Sequence, residues 1–184
     1  MPRLLQTCFS NRRIVVSLAV LLCLMTPMQV MADNLRTLGW LEWAWLQPGG
    51  VKIKTKLDTG AKTSSIYAVD IAPFEREGEL WVRFRIPLEK RSDDSSRAGD
   101  IVLERLVERE TRIKDHEDAS RRRYVVMLEM CMGGHNFNTP VTLADRGRFN
   151  YPLLLGRLAL QGRAVVDPAR IFTASRSCKS ATLH

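Results

Sequence analysis

The chain is 184 residues long and carries a formal net charge of +8. Three of its 28 basic residues fall in the first 32 positions, so residues 33–184 hold 25 bases against 20 acids, about +5, and no aromatic stripe interleaves with arginine as a nucleic-acid surface would require. No glycine-rich phosphate loop ending in Lys-Ser or Lys-Thr, no paired His on a helix turn and no cysteine or histidine spacing of a metal site is present, which excludes the common nucleotide and metal motifs.

Taken in order, residues 1–32 read as an export signal: Arg3, Arg12 and Arg13 at the start, an apolar run from Ile14 to Met25, and Val30-Met31-Ala32 before Asp33. The run is shorter than the roughly 20 residues a membrane span needs. The expected mature chain, 33–184, suits one domain with its own core, exported to the periplasm. It retains Cys131 and Cys178, and their pairing stays open on sequence alone, because a disulfide needs close Cα atoms that spacing does not reveal.

The mature chain reads as a succession of short strands. Leu38–Leu46 is rich in β-formers, with Trp40, Trp43 and Trp45 expected in core and sheet packing, and it closes at the turn Gln47-Pro48-Gly49-Gly50. Val51, Ile53, Thr55 and Leu57 alternate as a half-buried strand that delivers Asp58 into a turn of Thr59 and Gly60. Ser64–Ile71 and Glu79–Leu88 follow as strands, the second with Leu80, Val82, Phe84 and Ile86 on one face. Glu89 to Arg123 breaks the pattern, with 20 of 35 residues charged, ten of each sign, the usual mark of a solvated face or mobile loop. Inside it Ile101, Leu103, Arg105, Val107 and Arg109 fit a strand, although Val102, Leu106, Arg109 and Ile113 fit a helix. Tyr124 to Met130, the turn Gly133-Gly134 and Phe137 to Leu143 form a hairpin. Leu153–Leu155 is a buried strand, and Arg157–Gln161 is the one clear helical piece.

Two stretches carry chemistry. Leu57-Asp58-Thr59-Gly60-Ala61 places an acid at a strand end, and Tyr151-Pro152-Leu153-Leu154-Leu155-Gly156-Arg157-Leu158-Ala159-Leu160 follows nearly one hundred residues later. Together they resemble the retropepsins, single-domain aspartic proteases in which an apolar strand ending in Gly packs behind the catalytic turn. The resemblance extends over about residues 38–172, through Lys56–Ser65, Tyr124–Val126, Val141–Arg146 and Val165–Pro168. It is specifically to the bacterial retropepsin-like endopeptidases often labelled ATP-dependent zinc proteases, a label that no motif in this chain supports.

The resemblance implies an all-β, closed-barrel acid-protease fold with one short C-terminal helix. It implies catalysis by Asp58, supported by Thr59, Gly60, Ala61, Leu155, Gly156 and Arg157, on a peptide or protein substrate, with no cofactor and no metal. Peptide hydrolysis on this plan needs two carboxylates sharing a proton. Asp70, Asp145 and Asp167 lack the following Thr-Gly or Ser-Gly, so the single motif implies a homodimer with one Asp58 from each subunit. Ala61 lacks the hydroxyl that Ser would offer an ionised carboxylate, so it predicts a dyad titrating towards neutral pH.

Two features depart from the family. Lys62-Thr63 replaces the acid that commonly pairs with the arginine after Gly156, leaving the partner of Arg157 open, and the flap position, about Arg105 to Arg123, has no glycine. The alternative reading is a non-catalytic member of the fold that binds a peptide, or a membrane-associated partner through segment 89–123.

Overall fold

The structure, a computed structural model, describes residues 35–87, 100–113, 121–174 and 178. The expected export signal, much of the charged segment and the tip of the flap-position hairpin lie outside the described residues. Ten strands run in chain order: β1 (Arg36–Leu46), β2 (Val51–Leu57), β3 (Ser64–Tyr67), β4 (Val69–Arg76), β5 (Glu79–Ile86), β6 (Ile101–Ile113), β7 (Arg121–Met132), β8 (His135–Ala144), β9 (Leu153–Leu155) and β10 (Ala164–Ile171). One helical turn, α1 (Arg157–Leu160), follows β9. The fold is the expected nearly all-β one, and residues 101–113 resolve as strand.

Six strands close on themselves in the order β1-β2-β9-β3-β8-β7, and β1 meets β7 again through Trp45 opposite Cys131 and Leu46 opposite Met130. Closure removes free edges from this part of the sheet. Residues facing inward from every strand form one apolar cluster, including Ile53, Leu57, Ile66, Leu128, Met130, Leu143, Leu153 and Leu155, each at most 2% exposed. β10 lies outside the ring, parallel to β1, where Pro168 costs no ladder bond on the free side.

β6 joins the ring to a three-stranded extension. Its first half, Ile101–Leu106, pairs with β5, and its second half, Val107–Ile113, pairs with β7, the two halves meeting at a register shift between Val107 and Arg109. A bulge of this kind bends a strand and increases its twist, so one strand serves two layers. Val82, Phe84 and Ile86 of β5 are fully buried in the same cluster as the barrel residues, and the extension therefore shares the barrel's core.

Four expectations change or close here. The stretch Ser64–Ile71 is two strands divided at Ala68: β3 pairs with β8 and β9, whereas β4 pairs with β5, and Asp70 takes a positive φ of 52° at the register shift of β4 between Val69 and Ala72. Leu80 is exposed at the end of the β4–β5 hairpin, beyond the reach of the core. The three tryptophans are half-buried and outside the core cluster: Trp43 and Trp45 stand opposite Lys54 and Lys52 on the barrel's outer face while Ala44 and Leu46 occupy the core, and Trp40 packs edge-on against Tyr151. Cys131 and Cys178 form a disulfide with Cα atoms 5.7 Å apart, tying the C-terminal segment to β7.

Candidate active site

β2 pairs with β9 in parallel through Thr55–Leu153, Lys56–Leu154 and Leu57–Leu155, and the ladder continues one step as the Asp58 amide donates to the Leu155 carbonyl at 2.8 Å. The acid is therefore fixed to the sheet before the chain turns. Beyond it, the Gly60 and Ala61 amides donate to Asp58 Oδ1 at 3.0 and 3.2 Å. The turn folds back on its own carboxylate, and the side chain keeps 24% of its surface exposed.

The segment after β9 locks that turn from behind. The Gly156 amide donates to Ser64 Oγ at 3.2 Å, the Arg157 amide to the Ala61 carbonyl at 2.9 Å and the Leu158 amide to the Lys62 carbonyl at 3.2 Å. Gly156 has an ordinary φ of −90°, so glycine is required here for space. A Cβ would lie 2.6 Å from the Thr63 carbonyl oxygen and 2.9 Å from that of Ala61, closer than atoms can approach.

The partner of Arg157 is the turn backbone: its Nη1 donates to the carbonyls of Thr59 and Gly60, both at 2.9 Å. Those are two carbonyls that the tight turn leaves without sheet partners, and the two N–H groups of one terminal guanidinium nitrogen can satisfy both. No acid after Ala61 is needed for this. All seven sequence-selected residues, Asp58, Thr59, Gly60, Ala61, Leu155, Gly156 and Arg157, thus stand in one hydrogen-bonded unit. Asp70, Asp145 and Asp167 are engaged elsewhere, Asp70 with Arg85 at 2.7 Å, Asp145 with the Gly147 amide at 3.0 Å and Asp167 with the Ala169 amide at 2.8 Å.

Two cations were not singled out from sequence. Lys56 Nζ lies 3.1 Å from Asp58 Oδ2, because residues two apart on a strand share a face, a relation visible in the sequence. Hydrogen bonding from Lys56 is the largest influence on Asp58 and holds its carboxyl below its ordinary value; burial opposes this and the Gly60 and Ala61 amides add to it. In the protomer this runs against the upward shift expected from Ala61. Arg146, in the loop between β8 and β9, is buried, donating to Ser65 Oγ at 2.8 Å and to the Tyr151 carbonyl at 3.3 Å. Burial lowers its pKa; the field of Asp58 opposes the shift and that of Arg123 reinforces it. The site is a carboxylate with one oxygen tied to two amides and the other turned towards Lys56, with Arg146 within reach of its field.

An acid held by the amides of its own turn, at a strand end inside a closed six-stranded barrel and backed by a Leu-Leu-Leu-Gly-Arg segment, defines the retropepsin-like class. Residues 37–177 match the RimB-like family, described as retropepsin-like aspartic endopeptidase RimB, and the chain belongs to that family. The crystal structure of Lpg0085, a Legionella pneumophila protein of unknown function, superposes with a TM-score of 0.64 at 34% identity, covering 76% of this chain and 98% of that one. Curated relatives include a probable alpha-L-glutamate ligase of Shewanella halifaxensis, 38% identical over 144 residues, and one of Desulfotalea psychrophila, 33% identical over 136 residues. These matches cover 77% and 73% of this chain but only 30% and 28% of the ligases, so the chain spans less than a third of the curated relatives it matches.

Proposed function

We propose that the protein is an exported aspartic endopeptidase in which Asp58 from each of two subunits forms a shared-proton dyad. The observation that carries this reading is the Asp58 carboxylate, partly exposed, ordered by its own turn and clamped from behind by Gly156 and Arg157. In the reaction one ionised carboxylate takes a proton from water as the oxygen adds to the peptide carbonyl carbon, and the protonated partner gives its proton to the carbonyl oxygen. The tetrahedral species then collapses and the C–N bond breaks, the departing nitrogen taking the proton that the first carboxyl removed from water while a diol hydroxyl returns a proton to the second, which restores the dyad. Like charges brought close do not both ionise, so dimerisation would raise one Asp58 and leave the other available to Lys56.

The substrate class we infer is a glutamate-rich peptide. Support comes from the names of the curated relatives, probable alpha-L-glutamate ligases, and from the cations around Asp58. A second reading, a peptide-binding protein without catalysis, is favoured by the Lys56–Asp58 pair, which neutralises the carboxylate in the protomer. Cleavage of a denatured protein mixture by parent and Asp58→Asn chains, with and without pepstatin, separates the two. Pepstatin-sensitive cleavage that vanishes in Asp58→Asn is expected, whereas equal and negligible cleavage by both leaves the binding protein.

A further inference from the structure

A cleft of about 280 Å³ opens beside β2, bounded by Trp43, Lys52, Lys54, Tyr67, Arg146 and Phe149. Its origin is topological: β9 pairs only with Thr55–Leu57, so alongside Lys52–Lys54 the ladder stops and the loop from 145 to 152 forms the opposite wall. Lys52, Lys54 and Lys56 occupy alternate positions of β2 and share a face that leads to Asp58. Same-face neighbours on a strand lie about 6.8 Å apart, which is the side-chain repeat of any extended peptide.

The charges in this cleft are short of counterions. Among the described residues neither Lys52 nor Lys54 makes an ion pair; Lys52 Nζ sits 4.0 Å and Lys54 Nζ 5.6 Å from the ring centroid of Trp43. Arg146 stacks over Phe149 with 4.5 Å between guanidinium carbon and centroid, and its two hydrogen bonds go to a hydroxyl and a carbonyl rather than a carboxylate. A guanidinium taken out of water with no carboxylate bonded to it, and only the field of Asp58 to offset burial, is costly to hold, and a nearby anion recovers that cost. Aromatic walls add flat apolar surface on which the methylenes of a long acidic side chain can lie.

We propose that this cleft is a substrate subsite that reads acidic side chains away from the scissile bond, with Lys52 and Lys54 as its specificity-determining residues and Arg146 as its back wall. The proposal deepens the peptidase reading and rests on it, assigning the selection of glutamate-rich peptides to positions outside the catalytic turn. An acidic peptide in extended form would meet Lys52 and Lys54 at alternate residues, leaving Lys56 and Asp58 for the bond to be cut.

The test is binding, so that it stands apart from catalysis. Fluorescence anisotropy of a labelled oligo-glutamate peptide and its oligo-glutamine counterpart is measured on the Asp58→Asn protein, alone and combined with Lys52→Gln and Lys54→Gln. The glutamate peptide is expected to bind more tightly, with a salt-dependent affinity that falls about three- to tenfold in the lysine variant, the range for two solvent-accessible ion pairs. In the parent background the same substitutions are expected to raise KM and leave kcat unchanged, the mark of binding that is equal in ground and transition states. Equal binding of the two peptides, or a preference for glutamate that survives in the lysine variant, overturns the subsite. Tighter binding of a labelled single-stranded oligonucleotide, lost in the same variant, overturns the peptide assignment. A parent that cuts nothing while the glutamate preference holds and is lost in the lysine variant refutes the peptidase reading, and with it the subsite's role in cleavage, and leaves an acidic-peptide binding cleft.

Discussion

The closed barrel and the β4–β5–β6 extension are built from the same strand chemistry and held in different ways. In the barrel the catalytic turn is held largely by backbone: Asp58 Oδ1 by the Gly60 and Ala61 amides and Arg157 by the Thr59 and Gly60 carbonyls, with Lys56 the one charged side chain on Asp58. In the extension polar groups are answered by charged side chains, Arg76 by Glu104 at 2.6 Å and Arg85 by Asp70 and Asp100 at 2.7 and 2.8 Å. Backbone partners fix a position to the sheet itself, whereas the exposed Arg76–Glu104 pair holds long, mobile side chains at little gain; the Arg85–Asp100 pair, with side chains 6% and 4% exposed, is the buried one. The difference suits the proposed dyad, in which a carboxylate that is to meet a second copy of itself needs a rigid base. Inside, the two regions are one body, since Val82, Phe84 and Ile86 lie in the barrel's core.

The largest effect should come from cutting that shared core. Phe84→Ala empties a fully buried position and is expected to cost about 3–5 kcal/mol, with both regions unfolding in a single transition by urea titration. Two separated transitions would show that the extension has a core of its own. Gly156→Val attacks the barrel's interlock, forcing side-chain atoms against the Thr63 and Ala61 carbonyls. A loss of about 3 kcal/mol, at the upper end for overpacking, is expected in thermal melts, and a variant as stable as the parent would mean that the segment after β9 does not sit against the turn.

Lys56→Gln removes the main influence that depresses the Asp58 carboxyl. A carboxyl with a lowered folded-state pKa adds stability above the ordinary carboxylate range and loses it as pH falls through the folded value. The variant should therefore show a weaker fall in stability on acidification and an acid limb of kcat/KM displaced to higher pH, by pH-jump melts and steady-state kinetics. An acid limb displaced downward would contradict the pairing. The smallest effect belongs to the extension's rim: Arg76→Gln, removing an exposed pair, should change stability by less than about 0.5 kcal/mol, and a loss several times larger would erase the contrast between the regions.

Much of the fold was legible because it follows from alternation: β2, β7 and β8 of the barrel and β5 of the extension repeat apolar residues every second position, and the Asp58 turn and Gly156 are marked by residue type. What stayed hidden depends on partners that residue identity does not report. Arg157 bonds to carbonyls, which every residue carries, so looking for an acid near Lys62 could not find its partner. The break at Ala68 is set by which strands β3 and β4 each pair with, and a sequence that alternates through both gives no sign of it. The tryptophans misled because β-propensity says that a residue suits a sheet without saying which face it takes. Lys56 was within reach, two residues before Asp58 on the same strand face.

The central claim is that catalysis belongs to a pair of Asp58 carboxyls, one from each subunit. Parent chains mixed with increasing excess of Asp58→Asn chains, with sedimentation at the assay concentration, measure it directly. Heterodimers carry one carboxyl each, so activity should fall below the line of simple dilution while the protein sediments as a dimer, and the parent's pH profile should be bell-shaped and belong to the pair. A chain that sediments as a monomer and still cleaves in an Asp58-dependent manner, its activity falling only in proportion to dilution, would contradict the shared dyad and direct the search to Asp145 and Asp167.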